Sequence, residues 1–316
     1  MKHLFMTIAM AAALTACGHR ASTDGSVDTD SVSIDSTAVA SEVALLKTDS
    51  IGIELKDTMV EVHVSVEWPV EGNDTLLQGI RQYIMKQLDI KKCTDIKAEL
   101  KKLAKIQYNE LKTQWQEDRE CRGDDMSMTY SSYQRITVDE ESDTYVTYSY
   151  CTEGFTGGAH GYATATGMTI SKATGKQIGY ESEYNPNTES FSIKHQNLFR
   201  STKSAGLYKL IKEGVKDYFS DFEDHRISDA ELADVLQNVP DVNHIPVPQF
   251  PPTFSKKGLL FLYQQYEIGS YAVGMPNFCI PYEKVLPYLT EEAAGLVKRY
   301  EIRDKEIRDK EIRDKR

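Results

Sequence analysis

A chain of 316 residues with 40% hydrophobic side chains and a formal charge of −11 has room for one large or two modest domains, at roughly 100–200 residues per domain. Its apolar share lies below the roughly 45–50% usual for globular chains, so a folded body diluted by solvated segments is expected. The acidic balance argues against a nucleic-acid groove or a polybasic membrane patch. Beyond the N-terminus no apolar run approaches the roughly 18 residues of a membrane span.

Lys2 and His3 precede an apolar run from Leu4 to Leu14, and Leu14-Thr15-Ala16-Cys17 follows. A short positive region, an apolar stretch of signal-peptide length and a small-residue cleavage site define residues 1–17 as a lipoprotein signal peptide. The Leu-Thr-Ala-Cys box resembles the bacterial lipobox, which implies lipid on Cys17; the plainer alternative is a secretory signal with Cys17 incidental. Each buried lipid CH₂ contributes roughly 0.8 kcal/mol, so two or more chains hold a protein firmly at a membrane. The expected address is the cell envelope, facing the periplasm or the cell surface.

Residues 18–50 are rich in Ser, Thr, Asp, Ala and Val and contain no aromatic side chain. They read as a disordered tether with a reach of roughly 30 Å. Folded structure is expected from Ile51, divided into α+β subdomains at 51–165 and 166–289. Val60, Val62, Val64, Val66 and Trp68 alternate with polar residues, the pattern of a strand with one buried face, and Pro69 is expected to end it or to place its end at a sheet edge. Asn73 is a candidate N-cap for a helix carrying Leu76, Leu77, Ile80, Tyr83, Ile84 and Leu88. A second helix is expected from Asp95 to Arg119, with a stripe of Ile96, Leu100, Leu103, Leu111 and Trp115.

Strands then follow at 128–138, 145–151 and 162–171, with turn signals at Asp139–Asp143 and Ala173–Lys176, which predicts an antiparallel meander. Helices are expected at 204–219 and 228–238. The proline-dense stretch 240–252 reads as an extended crossing, and the last strands fall at 258–266 and 277–280. The blocks of helices and strands argue for an α+β fold, an antiparallel sheet meander with packed helices. Three copies of Glu-Ile-Arg-Asp-Lys close the chain. A five-residue period points Ile302, Ile307 and Ile312 in three directions, so the 290–316 tail is expected to be a solvated polar helix, not a coiled coil.

Two signatures remain: Phe155-Thr-Gly-Gly-Ala-His160-Gly161, with Asn197-Leu-Phe199 downstream, and the run from Phe254 through Gly258, Phe261, Tyr266, Glu267, Tyr271 and Gly274 to Ile280-Pro281-Tyr282 and Leu286. Together they resemble the extracytoplasmic module of the RsiV-like and PdaC-like proteins, a domain of unknown function often carried by lipoproteins. The resemblance covers about Ile51 to Leu289. In RsiV-type anti-sigma factors such a module senses lysozyme by binding it; in PdaC it precedes a peptidoglycan deacetylase domain. Neither a sigma-binding segment nor a deacetylase block is recognised in this chain, so the expectation is the module alone.

The resemblance and the residue types give Gly157, Gly158, His160, Tyr266, Glu267 and Tyr271 as candidate partner-binding residues. Gly157 and Gly158 permit positive φ in a tight loop. His160 either hydrogen-bonds that loop or contacts a partner or metal. Glu267, if inward, needs backbone N–H groups or a cation to offset burial; it either braces the Tyr271–Gly274 turn or serves a ligand. Tyr266, Tyr271, Met275 and Phe278 form either an aromatic surface or core. No zinc spacing, nucleophile elbow or phosphate loop is present, and no catalytic residue, metal site or cofactor is expected.

Cys93, Cys121, Cys151 and Cys279 form an even set that allows three fully paired connectivities. Whether any disulfide forms is open; Cys93–Cys121 is the first candidate and Cys151–Cys279 the alternative. The functional expectation is a lipid-anchored, non-catalytic envelope module that binds a basic, lysozyme-like protein or an envelope glycan such as peptidoglycan, with no nucleic acid. The rival is an envelope hydrolase using His160 and Glu267. A Cys151–His160 nucleophile pair is a more remote option.

Overall fold

The computed structural model describes residues 46–122, 128–186 and 190–297. Cys17, most of the expected tether and the Glu-Ile-Arg-Asp-Lys repeats lie outside the described residues. The expected end of the tether moves: β1 spans Lys47–Lys56, so folded chain begins before Ile51. β2 (Val60–Glu71) follows, and Val60, Val62, Val64 and Val66 are all buried. Pro69 does not terminate β2. It is paired with Thr48 of the edge strand β1, beyond the last β2 residue that pairs on its other side, so its missing N–H breaks no second ladder.

The Asn73 side chain accepts from Thr75 and Leu76 N–H at the start of α1 (Asp74–Gln87), satisfying orphan donors there. The apolar face of α1 buries Leu76, Leu77, Ile80, Tyr83 and Ile84. α2 (Ile96–Arg122) buries Ile96, Leu100, Ala104 and Trp115, and the Trp115 indole donates to Met128 O at 2.8 Å. β3 (Tyr130–Glu141), β4 (Tyr145–Phe155), β5 (Tyr162–Ser171) and β6 (Gln177–Ile178) complete a six-stranded sheet in sequential order.

The sheet is not a pure meander: β2 and β3 are parallel, which the two intervening helices make possible, since a parallel pair needs a long crossover. α1 also touches the β5–β6 turn. A Cβ on Gly79 would lie 2.1 Å from Gly175 O, and Gly175 has a φ of +64°, so both positions require glycine.

β7 (Glu181–Asn185) and β8 (Ser190–Lys194) form a separate antiparallel hairpin. α3 (Ala205–Phe222) is capped by Ser204, and α4 (Asp229–Val235) by a Ser228/Glu231 capping box. β9 (Thr253–Ser255), β10 (Gly258–Leu262) and β11 (Asn277–Ile280) form a three-stranded sheet. The stretch 240–252 is irregular, as its prolines require. Its carbonyls are taken up by buried tyrosines: Tyr263 donates to Pro246 O and Tyr180 to Pro248 O, each at 2.6 Å.

Two apolar cores result, one built from Leu46–Ile170 and the other from Tyr145 and Ile178–Val297. The expected boundary at 165/166 falls inside β5 and is corrected accordingly, because β5 is a full member of the six-stranded sheet. The two halves are sewn together where β9 meets β4 and β5. Phe254 N donates to Thr169 Oγ1 at 3.0 Å, and Thr147 Oγ1 donates to Phe254 O at 2.8 Å. Buried threonines thus give β9 the partners a neighbouring strand would supply.

All four described cysteines are free, which corrects the disulfide candidates. Cys93 lies before α2 and Cys121 near its far end. A 27-residue helix is about 40 Å long, whereas a disulfide needs Cα atoms within about 7 Å. Cys151 and Cys279 sit in different sheets, on β4 and β11.

Candidate functional site

The Phe155–Gly161 loop leaves β4 and returns as β5. Gly157 and Gly158 adopt φ of +89° and +93°, as the tight turn demands. The Gly157 Cα faces the Tyr130 hydroxyl, 2.9 Å from where a Cβ would stand. His160, exposed at the loop's end, has Nδ1 at 2.8 Å from Gly161 O. Because a carbonyl only accepts, Nδ1 carries the proton, and Nε2 accepts from the Tyr266 hydroxyl at 3.3 Å. The His160 ring stacks on Tyr271 at 3.7 Å between centroids and 18° between planes. His160, Tyr266 and Tyr271 are therefore gathered into one cluster.

Tyr266 and Glu267 are not on a strand. β10 ends at Leu262 and the chain turns through 264–267, so strand alternation does not set their directions. Tyr266 is 51% exposed with φ of +64°. A left-handed backbone at a bulky residue costs on the order of 1–3 kcal/mol and persists only where its surroundings fix it. Here the Asn238 side-chain amide donates to Tyr266 O at 3.0 Å, and Glu267 N–H donates to Gln264 O at 3.1 Å.

The half-buried Glu267 carboxylate accepts from Gln264 N–H at 2.7 Å and from Gln249 N–H at 2.5 Å. Burial pushes its carboxyl up to about 7 from 4.5, against the opposing pull of those two N–H groups. Glu267 thus ties the 264–267 turn to the proline-dense stretch, not to the Tyr271–Gly274 turn. That turn is held by Tyr218, whose hydroxyl donates to Val273 O at 2.5 Å. Phe278 leaves the expected aromatic cluster: its ring stacks on the buried Phe261 at 5.3 Å.

The turn is also fastened to the first half. Gln264, buried despite its polarity, accepts from Ala165 N–H and donates to Ala165 O, at 3.1 and 2.7 Å. Gln265 accepts from Ala163 N–H at 3.3 Å. Two side-chain amides therefore occupy the edge of β5 that β6 leaves unpaired.

Beside this turn lies a cleft of about 870 Å³ between the β7–β8 hairpin, the start of α3, residues 246–249 and the 264–268 turn. Sites for small molecules commonly measure about 300–1,000 Å³. Tyr184, Phe191, Tyr208 and Tyr266 line it; Tyr184 and Phe191 are about half exposed and pack ring to ring at 5.2 Å. No spacing in the sequence marks this wall, because Tyr184 and Phe191 meet only once the hairpin pairs them. Among the described residues the cleft's charged lining residues are Lys203 and Glu267, and His160 is not one of its lining residues.

No hydrogen bond or ion pair joins His160 to Glu267 or to Cys151 among the described residues. Burial pushes the Cys151 thiol up, the reverse of activation. Among the described residues no group of three or more His, Cys, Asp or Glu side chains could hold a metal ion.

Comparison with known proteins finds a family likeness over part of the chain. Residues 196–283 match the model of DUF3298, a protein family of unknown function. The DUF3298 segment carries α3, α4, β9–β11, Tyr266, Glu267 and Tyr271; the hairpin and His160 lie outside it. No curated protein matches the chain.

Two solved structures share the fold. A DUF3298 family member from Bacteroides fragilis is 16% identical with a TM-score of 0.58, covering 81% of this chain and 98% of its own. A DUF3298 family protein from Pseudomonas aeruginosa is 14% identical with a TM-score of 0.51, covering 79% and 97%. The likeness therefore extends well beyond the DUF3298 segment into the six-stranded sheet.

Proposed function

We propose that this protein is a lipid-anchored, non-catalytic binding module of the cell envelope, of the RsiV-like and PdaC-like type, which recognises a protein or an envelope glycan. The observation that carries the reading is the cleft beside Tyr266, open, ring-lined and walled by a turn whose strained backbone is fixed from three sides. His160 and Glu267, the residues a hydrolase would need together, are each engaged locally: one with Tyr266, Tyr271 and Gly161 O, the other with two backbone N–H groups.

Anchoring rests on the Leu-Thr-Ala-Cys17 box. Among the described residues no helix is long and apolar enough to cross a membrane. Changing Cys17 to Ser should move the protein from the membrane fraction to the soluble one, and retention in membranes would refute the anchor. Recognition is tested by capture of the purified protein on immobilised lysozyme and on insoluble peptidoglycan. Retention by either supports the module reading; retention by neither, or cleavage of the peptidoglycan, overturns it.

A further inference from the structure

The cleft's lining says which of the two partner classes enters it. Among the described residues its charges are one lysine, Lys203, and one carboxyl, Glu267, inside a chain of net charge −11. A site for a basic protein would draw on that negative charge through complementary potential; this cleft does not. Its described lining residues include no cationic cluster of the kind that phosphate-rich or polyanionic ligands need. What it offers is rings and neutral hydrogen-bonding groups: Tyr184, Phe191 and Tyr266 exposed, with the amides of Asn238 and Gln249 and the hydroxyl of Thr202 around them.

Such a surface suits a ligand with flat apolar faces and a rim of hydroxyls and amides. Rings bury C–H surface while neutral donors and acceptors fix orientation. The turn adds a second observation. Tyr266 holds a left-handed backbone that glycine would adopt without strain, yet its ring is half exposed and contributes nothing to either apolar core. Its hydroxyl is held by His160 and its ring lies 5.9 Å from that of Tyr271. The side chain is thus held ready at the cleft wall by groups from both halves of the molecule, which lowers the ordering cost of binding.

We infer that the cleft binds a neutral oligosaccharide, with Tyr184, Phe191 and Tyr266 as its ring contacts. The inference rests on the binding-module reading and narrows it to a glycan. The probes are the tetramer of N-acetylglucosamine and a cello-oligosaccharide of equal length, titrated calorimetrically into the purified protein, with lysozyme titrated in parallel.

Saturable one-site binding of either sugar is expected. Tyr266→Gly should weaken it at least tenfold while the melting temperature stays level or rises, because glycine relieves the backbone. Tyr184→Ala should weaken it several-fold. Loss of binding together with loss of folding in Tyr266→Gly would contradict the preorganised-ring argument, and unchanged affinity in both variants would place the sugar elsewhere. Binding of lysozyme but neither sugar would overturn the glycan assignment and leave the module reading standing; binding of none would overturn both. Sugar cleavage would defeat the non-catalytic reading and retain the cleft.

Discussion

The two halves of the molecule hold themselves together by different means. In the first, helices α1 and α2 lay apolar stripes on a sheet whose inward residues are Val60, Val62, Val64 and Val66. In the second, an irregular proline-rich stretch and a strained turn are fastened by buried polar groups: Tyr180, Tyr263, Gln264 and Glu267. A periodic core gains from burying area and tolerates little loss of volume. The clamped region gains a particular backbone shape, and that shape forms one wall of the cleft.

The comparison is broken most severely by core truncation. Ile80→Ala, at a fully buried site on α1, should cost about 2–5 kcal/mol and lower the denaturant midpoint accordingly; a loss under about 1 kcal/mol would mean that the first half does not rest on its packing. Glu267→Ala should cost less, about 1–3 kcal/mol, by stranding the N–H groups of Gln249 and Gln264. Hydrogen exchange should show the loss confined to the cleft wall, and faster exchange in β2 would argue against a local clamp.

A pair of carboxylates sharpens the contrast. On the β1–β2 turn, Asp57 accepts from Lys112, Tyr108 and two backbone N–H groups, and these hold its carboxyl well below the usual carboxylate range. Its contribution is present above its unfolded value of 3.8 and fades as pH falls. Glu267 runs the other way. With its folded value raised from 4.5 to about 7, its contribution is full below 4.5 and fades as pH rises through about 7. Melting curves should therefore show Asp57→Asn flattening the acid limb and Glu267→Gln flattening the limb between about pH 4.5 and 7. The same limb in Glu267→Gln as in the parent would refute the buried-carboxyl account.

The first half was largely legible in the sequence because its determinants are local and periodic. The alternation through Val66, the Asn73 cap and the stripe of α1 each need only near neighbours. The parallel pairing of β2 with β3 was not legible, since alternation is blind to strand direction. Nor was the clamp: Glu267 finds Gln249 eighteen residues upstream, and Gln264 finds Ala165 ninety-nine residues away, contacts that exist only once both halves have folded. The signatures singled out His160, Tyr266 and Tyr271 as separate candidates without showing that they meet, and Tyr184 and Phe191 sit on a hairpin that no signature marks.

Smaller effects complete the series. Tyr271→Ala removes the ring on which His160 stacks and should cost about 0.5–1.5 kcal/mol, measured by chemical denaturation; a cost above about 3 kcal/mol would make that cluster part of the core. Smallest of all, a reducing agent should leave the melting temperature unchanged, because the described cysteines are free thiols. A drop on reduction would reveal a disulfide.

The central claim, that the cleft beside the strained turn is where this protein recognises its ligand, is tested most directly by nuclear magnetic resonance of the protein with ring-labelled tyrosine, titrated with the N-acetylglucosamine tetramer. The account predicts saturable shifts at Tyr184, Tyr208 and Tyr266, with Tyr130 and Tyr133 of the first half unmoved. Shifts confined to the first half, or none at any tyrosine, would contradict it.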